Sequence, residues 1–157
     1  MLVGNLLLAL TWSVLQAEVT LGNLFVGYVL GYLILAMLIK GGVFKESRYV
    51  GKVSLALSLV LYFIRELVHA NLRLARDVAT PKFSMRPGII AVPLEATRDS
   101  EILLLSALIN LTPGSVALDV SPDRRHLYVH VMYITDADAA RIEITDGFER
   151  RILQLMR

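Results

Sequence analysis

The chain has 157 residues, of which 55% are hydrophobic and only 19% charged, with a net charge of +2 and no cysteine. Its mean hydropathy of +0.60 is too high for an ordinary soluble domain and points to a bilayer, and the lack of cysteine excludes disulfides, thiolate metal sites and thiol redox chemistry. The charge is uneven: residues 1–39 carry only Glu18, residues 40–86 carry nine Lys or Arg against three acids, and residues 87–157 carry seven against ten. These zones define three expected regions: a membrane hairpin at 1–40, a basic loop with a long amphipathic helix at 41–86, and a small α/β domain at 87–157.

Met1 to Ala17 is uncharged and Leu-rich. At 1.5 Å per residue it covers roughly 26 Å, a marginal span, with Trp12 and Gln16 near the headgroup level. No basic segment precedes this run and a second apolar run follows at once, so a retained hairpin is expected rather than a cleaved signal peptide. A short turn, Glu18-Val19-Thr20, leads into the second run, Leu21 to Ile39, which Lys40 closes. The basic loop Lys45, Arg48, Lys52 places that end in the cytoplasm and Glu18 outside, because positive loops stay inside. Within the second run Gly27 and Gly31 stand one turn apart, a small-xxx-small pattern that lets another helix approach closely. Glycine is also simply common in membrane helices; on either reading the expected first partner is the hairpin's own first span.

The third segment, Val50 to Thr80, has an uncharged core only from Val53 to Ile64. Ser54, Ser58, Tyr62, Arg65, His69, Arg73 and Arg76 recur at helical spacing on one side, and Leu57, Leu61, Ile64, Val68, Leu72 and Ala75 on the other. Two readings follow. One is an amphipathic helix at the cytoplasmic interface, drawn to anionic lipid by its basic side. The other is a third span with its polar stripe against partner subunits. Parity favours the interfacial reading, since a third span would export a strongly charged C-terminal region.

Past Pro81 the pattern is that of a β-α-β-β-α unit. Gly88 to Leu94 is a β-branched run whose Pro93 marks a strand end or edge. Glu101 to Leu111 reads as a helix, with Thr97 or Asp99 as N-cap and Thr112-Pro113-Gly114 as its stop. Ser115 to Val120 and His126 to Ile134 read as strands joined by the turn Ser121-Pro122-Asp123-Arg124. In the third strand Leu127, Val129, Val131 and Tyr133 share one face, and Tyr128, His130 and Met132 the other. Thr135-Asp136-Ala137-Asp138 is a capping-box pattern opening a last helix, on which Ala140, Ile144, Phe148, Ile152 and Leu155 share a face. Gly147 weakens that helix by about 1 kcal/mol relative to Ala. About seventy residues bury only a small core, so docking on the membrane helix or on a partner would help this unit.

Few residues offer chemistry. His126 and His130, four apart on a strand, lie roughly 13 Å from each other, too far for one metal. Arg65, Glu66 and His69 are the titratable trio beside an apolar run: a cation-route or interface candidate if embedded, a solvated face if the helix lies flat. Asp119 and Asp123 flank a turn. The Thr112–Ser115 run lacks the lysine and spacing of a phosphate cradle, and no nucleophile elbow or paired carboxylates occur. The reading is no enzyme, no cofactor, no metal and no nucleic-acid partner.

The run Ile109-Asn110-Leu111-Thr112-Pro113-Gly114-Ser115, then Leu118-Asp119-Val120-Ser121 and Leu127-Tyr128-Val129-His130, resembles the signature of the E-type subunits of Mrp (Mnh) Na+/H+ antiporters. Pro87-Gly88-Ile89-Ile90, Val92-Pro93-Leu94, Leu21-Gly22-Asn23 and Arg65-Glu66-Leu67 agree with it. Tyr133-Ile134 departs from it, since an acidic residue is expected soon after the histidine. The resemblance implies one subunit of a six- or seven-subunit complex in the bacterial cytoplasmic membrane, exchanging internal Na+ for external protons. Its family-signature residues here are Thr112, Pro113, Gly114, Asp119, Tyr128 and His130. It also implies that the proton-carrying residues belong to other, larger subunits. An accessory role in assembly or stability follows, with the C-terminal domain cytoplasmic and the other subunits and the lipid bilayer as partners. The alternative is a membrane-tethered regulatory or ligand-binding module, homo-oligomeric through Gly27 and Gly31.

Overall fold

The structure, a computed structural model, describes residues 1–44, 48–80 and 85–157. Lys45 of the expected basic loop and the boundary residue Pro81 lie outside the described residues, as does the side chain of Arg48. The chain divides into two units, Met1–Ser54 and Leu55–Arg157.

The first unit is built on two antiparallel helices, α1 (Leu2–Leu15) and α2 (Leu21–Lys40). The turn between them uses a left-handed Ala17 (φ 58°), and Thr20 caps α2 by accepting from the Asn23 N–H at 3.2 Å. Along α1, Asn5, Ala9 and Ser13 recur every four residues and are its buried positions. They face the buried Gly27, Gly31 and Leu35 of α2. The contact is tight: a Cβ at Gly27 would lie 2.8 Å from the Ala9 carbonyl oxygen, and one at Gly31 would lie 2.2 Å from Asn5 Oδ1. The remaining surface of both helices is Leu, Val, Ile and Phe left open, as at Leu7, Val14, Phe25 and Met37. At one end Asn5 Nδ2 donates to Tyr49 Oη (2.8 Å), and Tyr49 Oη donates to Tyr28 Oη (2.6 Å).

The first apolar run is shorter as a helix than as a sequence. Its α1 has 14 residues, about 21 Å of rise, and ends where the chain turns back. Among the described residues, the two helices long and apolar enough to cross a membrane are α2 and the third helix, α3 (Arg48–Ala79, of which Tyr49–Ala79 qualifies).

The second unit contains a three-stranded antiparallel sheet of β1 (Gly88–Pro93), β2 (Ser115–Val120) and β3 (His126–Val131), in the order β1-β3-β2. Pro93 ends an edge strand, where its missing N–H costs nothing. β3 stops at Val131, short of the expected Ile134, because Met132 and Ile134 turn their N–H groups to Gly114 and Arg86. In β2 the pairing shifts between Ala117 and Asp119. That bulge leaves Leu118 and Asp119 both exposed while Ala117 and Val120 turn inward.

Helix α4 (Asp99–Leu111) and a C-terminal helix pack on one face of the sheet. The C-terminal helix runs through α5 (Ala137–Ile142), a π-helical stretch (Glu143–Glu149) and α6 (Arg150–Met156). Neither expected N-cap holds α4. Its cap is Arg98, and Glu101 reaches back to accept from the Thr97 and Arg98 N–H groups. Asp136, not Thr135, caps α5, accepting from the Asp138 N–H. The core joins Ile90 and Val92, Leu127 and Val129, Leu105 and Ile109, and Ile144, Phe148 and Ile152.

One further buried residue completes that core: Leu59, from α3. Tyr62 and Phe63 pack beside it, the Tyr62 ring edge-on to Phe148 at 5.1 Å and beneath the Arg151 guanidinium at 4.1 Å. This corrects the expected division of α3. Tyr62 does not belong to a solvated polar stripe; with Leu59, Glu66, Ala70 and Asp77 it lies on the side turned to the α/β domain. The side carrying Leu57, Leu61, Ile64, Val68 and Leu72 is exposed. The physical reason is the one that size dictates: two helices on three short strands leave the core open at one end, and the third helix closes it.

Candidate functional site

Two features of the second unit collect the residues singled out by the sequence. The first is a groove of about 100 Å³ between α3 and the α/β domain, lined by Glu66, His69 and Arg73 from α3, the Thr112–Ser115 turn, Tyr133, and Glu143 from the π-helical stretch. The turn is held by the carbonyls at the end of α4. Thr112 Oγ1 donates to the Leu108 carbonyl at 2.9 Å and Ser115 Oγ to that of Ile109 at 3.0 Å. Pro113 stops the helix, and Gly114 takes a left-handed φ of 91° that brings its carbonyl to the Met132 N–H at 2.8 Å.

Of the titratable trio, Glu66 and His69 line the groove, and Arg65 does not. The Arg65 side chain is 67% exposed and its Nε stands 3.9 Å from Glu66 Oε1, a loose approach to a carboxylate that is 16% exposed. Across the groove Glu143 is pushed above the usual carboxylate range, first by burial and then by the neighbouring Glu66, with Arg73 and Arg65 opposing. Tyr133, at the point where an acid was expected after the histidine, meets one from another element. The neighbouring Asp77 carboxylate, then burial, raise its hydroxyl, and Arg73 lies over its ring at 5.3 Å.

The second feature is the sheet face that no helix of the unit covers. Pairing aligns Ile89, His130 and Val116 in one cross-strand row, and Ala91, Tyr128 and Asp119 in the next. Ile89 is 63% exposed, and Val116, Leu118 and Tyr128 are exposed with it. Asp119, Tyr128 and His130 therefore lie side by side on an open apolar face, while Thr112, Pro113 and Gly114 lie on the groove. His130 is half-buried and His126 exposed. Among the described residues no group of three or more His, Asp or Glu is placed to hold a metal.

Three carboxylates with structural roles went unnoticed in the sequence. Glu149, 2% exposed, accepts the Glu95 and Ala96 N–H groups at 2.7 and 2.8 Å, and burial raises it against those bonds. Glu101, fully buried, accepts from Arg157 as well as from the chain before α4, and the Arg157 bond foremost lowers it. Glu143 borders the apolar face of its helix, a readable signal; that Glu66 meets it there was not. Glu149 ties the C-terminal helix to the chain after β1, and Glu101 ties Arg157 to the start of α4.

The family model described as "Na+/H+ ion antiporter subunit" matches residues 5–155. The Na+/H+ antiporter E subunit of Bacillus subtilis is 39% identical over 153 residues, covering 98% of this chain and 96% of that one. That of Alkalihalophilus pseudofirmus is 34% identical over 151 residues, covering 96% and 94%. Among solved structures, a chain of the membrane-bound sulfane sulfur reductase, an archaeal respiratory membrane complex, matches with a TM-score of 0.57 and 25% identity, covering 96% of this chain and 95% of that one. A chain of the Mrp complex from Dietzia matches with a TM-score of 0.50 and 27% identity, covering 65% and 96%.

Proposed function

This chain belongs to the family of Na+/H+ antiporter E subunits, and from that premise we propose that it is an accessory subunit of a multisubunit Na+/H+ antiporter, needed for assembly or stability rather than for moving protons. The observation that carries this reading is the open sheet face. A two-layer domain that leaves Ile89, Val116, Leu118 and Tyr128 exposed in adjacent rows presents an apolar surface that a neighbouring subunit of the complex would cover. The absence of acidic or basic side chains from α1 and from α2 before Lys40 supports a lateral, non-conducting place for the hairpin.

The chain is then a multi-pass protein of the bacterial cytoplasmic membrane, with its α/β domain in the cytoplasm, the side that the basic loop after Lys40 indicates. One side of α3 is sheathed by that domain from Leu59 to Asp77, about 27 Å of helix. A domain with Asp77, Glu101 and Glu149 buried within it does not sit in hydrocarbon, which supports α3 running along the membrane face. The rival reading, a homo-oligomer built through Gly27 and Gly31, is disfavoured because α1 of the same chain already occupies both glycines.

The test is to place charge on the open face, Ile89→Glu with Val116→Glu, in the intact complex. Both side chains point away from the domain core, so the fold survives. The native mass of the tagged complex in mild detergent should fall, with loss of neighbouring subunits and of antiport. Normal assembly and antiport in the double variant would refute the role.

A further inference from the structure

The outward side of α3 is a second uncovered surface, and its chemistry differs from that of the sheet face. Leu57, Leu61, Ile64, Val68 and Leu72 are each about half exposed, between 48% and 57%. At spacings of three and four they form a straight apolar strip of about 22 Å. It lies on the side of the helix opposite Leu59, Glu66 and Asp77, which pack against the domain.

Charge is sorted around this strip. Arg65, His69 and Arg76, at i, i+4 and i+11, fall on one flank between the apolar strip and the domain, and all three are exposed. The only acids of α3 are Glu66 and Asp77, and both are turned to the domain. No carboxylate of the helix therefore neutralises that flank from outside; the loose 3.9 Å approach of Arg65 to Glu66 comes from the packed side. The α/β domain carries seven basic residues against ten acids. The cations thus lie beside an apolar strip that is bare.

We infer that this side of α3 is a docking surface for an anionic phospholipid monolayer, with the Leu57–Leu72 strip seated at the acyl boundary and Arg65, His69 and Arg76 against the headgroup phosphates. Charge complementarity selects lipid over a partner helix. A protein core would leave the flanking guanidinium groups to be paired one by one, whereas a bilayer places apolar chains and phosphate side by side along the same line. Each arginine near such a surface adds to the attraction for anionic lipid. The inference rests on the cytoplasmic placement of the domain proposed above. It makes α3 the element that fixes the domain's height and roll on the membrane.

Fluorescence quenching tests it on the full chain. Trp12, the single tryptophan, is replaced by Phe, and a reporter is placed as Ile64→Trp or, in a second variant, Leu61→Trp. The protein is studied alone in vesicles of phosphatidylethanolamine and phosphatidylglycerol, and again within the purified complex. Lipids brominated near the headgroup should quench both reporters more than lipids brominated at the chain ends. Brominated phosphatidylglycerol should quench at least about twofold more than brominated phosphatidylcholine at equal mole fraction, and Arg65→Gln with Arg76→Gln should erase that preference. Deepest quenching from the chain ends would overturn the inference in favour of a span. Loss of all lipid quenching within the complex would overturn it in favour of a covering protein. Equal quenching by both lipids, indifferent to the arginines, would refute the anionic contact. Failure of the accessory role itself is read separately, as absence of partners on purification.

Discussion

Gly147 stands so close to Tyr62 that a methyl group there would fall 2.2 Å from the phenolic oxygen and 2.9 Å from the ring carbon that bears it. The glycine that weakens the C-terminal helix is what admits the α3 ring to Phe148 and Arg151. Gly147→Ala should therefore destabilise the fold by about 1–2 kcal/mol, since overpacking outweighs the gain of about 1 kcal/mol in helix propensity. In a Tyr62→Ala background the same change should become neutral or stabilising. Denaturant unfolding of the four proteins in detergent checks this; an additive cycle would show that the two residues do not meet.

The hairpin obeys the same logic with less room to yield. At Gly27 the obstacle is the backbone carbonyl of Ala9 at 2.8 Å, and at Gly31 it is the Asn5 side chain. Gly27→Val should part the helices and lower the unfolding temperature in detergent more than Gly31→Val does, because a side chain can turn aside and a backbone cannot. Equal effects would mean that the hairpin opens as a whole.

Glu149 is the next test. It satisfies two backbone donors, those of Glu95 and Ala96, so Glu149→Leu should cost about 1–3 kcal/mol by stranding the buried Ala96 N–H and loosening that of Glu95. Glu149→Gln keeps an acceptor and relieves a charge that burial disfavours, and should cost much less. Amide exchange at residues 95 and 96 should accelerate sharply in the leucine variant and little in the glutamine one.

Two carboxylates give opposite pH dependences. Glu143 binds its proton more tightly when folded, through burial and Glu66. Its contribution is fully present below the ordinary glutamate range near about 4.3 and is lost as pH rises through the raised folded value. Glu101 is lowered, chiefly by Arg157. Its contribution is present above that range and is lost as pH falls through the depressed value. Acidification from neutral should thus first stabilise the protein through Glu143 and only then destabilise it through Glu101. Unfolding midpoints against pH should show a smaller first rise in Glu143→Gln, where the raised Glu149 still contributes, and a smaller acid-side fall in Glu101→Gln, where the lowered Asp123 still contributes. A wild-type curve without the first rise would show that Glu143 does not stand in the buried setting beside Glu66 that raises it.

The local elements were written in the sequence because their signals are local. An uncharged run closed by Lys40, a proline at the end of an edge strand, alternation through Leu127 and Val129, and Thr112-Pro113-Gly114 after a helix each act on the backbone within a few residues. The resemblance carried by Thr112 to Gly114, Asp119, Tyr128 and His130 led to the family for the same reason. Where the reading slipped, a distant partner decided. Arg98 replaces Thr97 or Asp99 as a cap because Glu101 reaches back while held by Arg157. The first apolar run yields only 14 helical residues because the chain must reverse at Ala17.

What the sequence by itself determined is the periodicity of each element, since side-chain direction repeats every 3.6 residues in a helix and every two in a strand. What only the tertiary structure decided is which side of each element is used. α3 has one apolar and one mixed side, and hydrophobicity alone would bury the first. The fold buries the second, with Leu59, Tyr62 and Glu66, because the short sheet and its two helices leave one gap, and that gap accepts an aromatic ring against Gly147 and a carboxylate facing Glu143. Burial goes to the side whose shape completes the core, and the apolar side is left exposed.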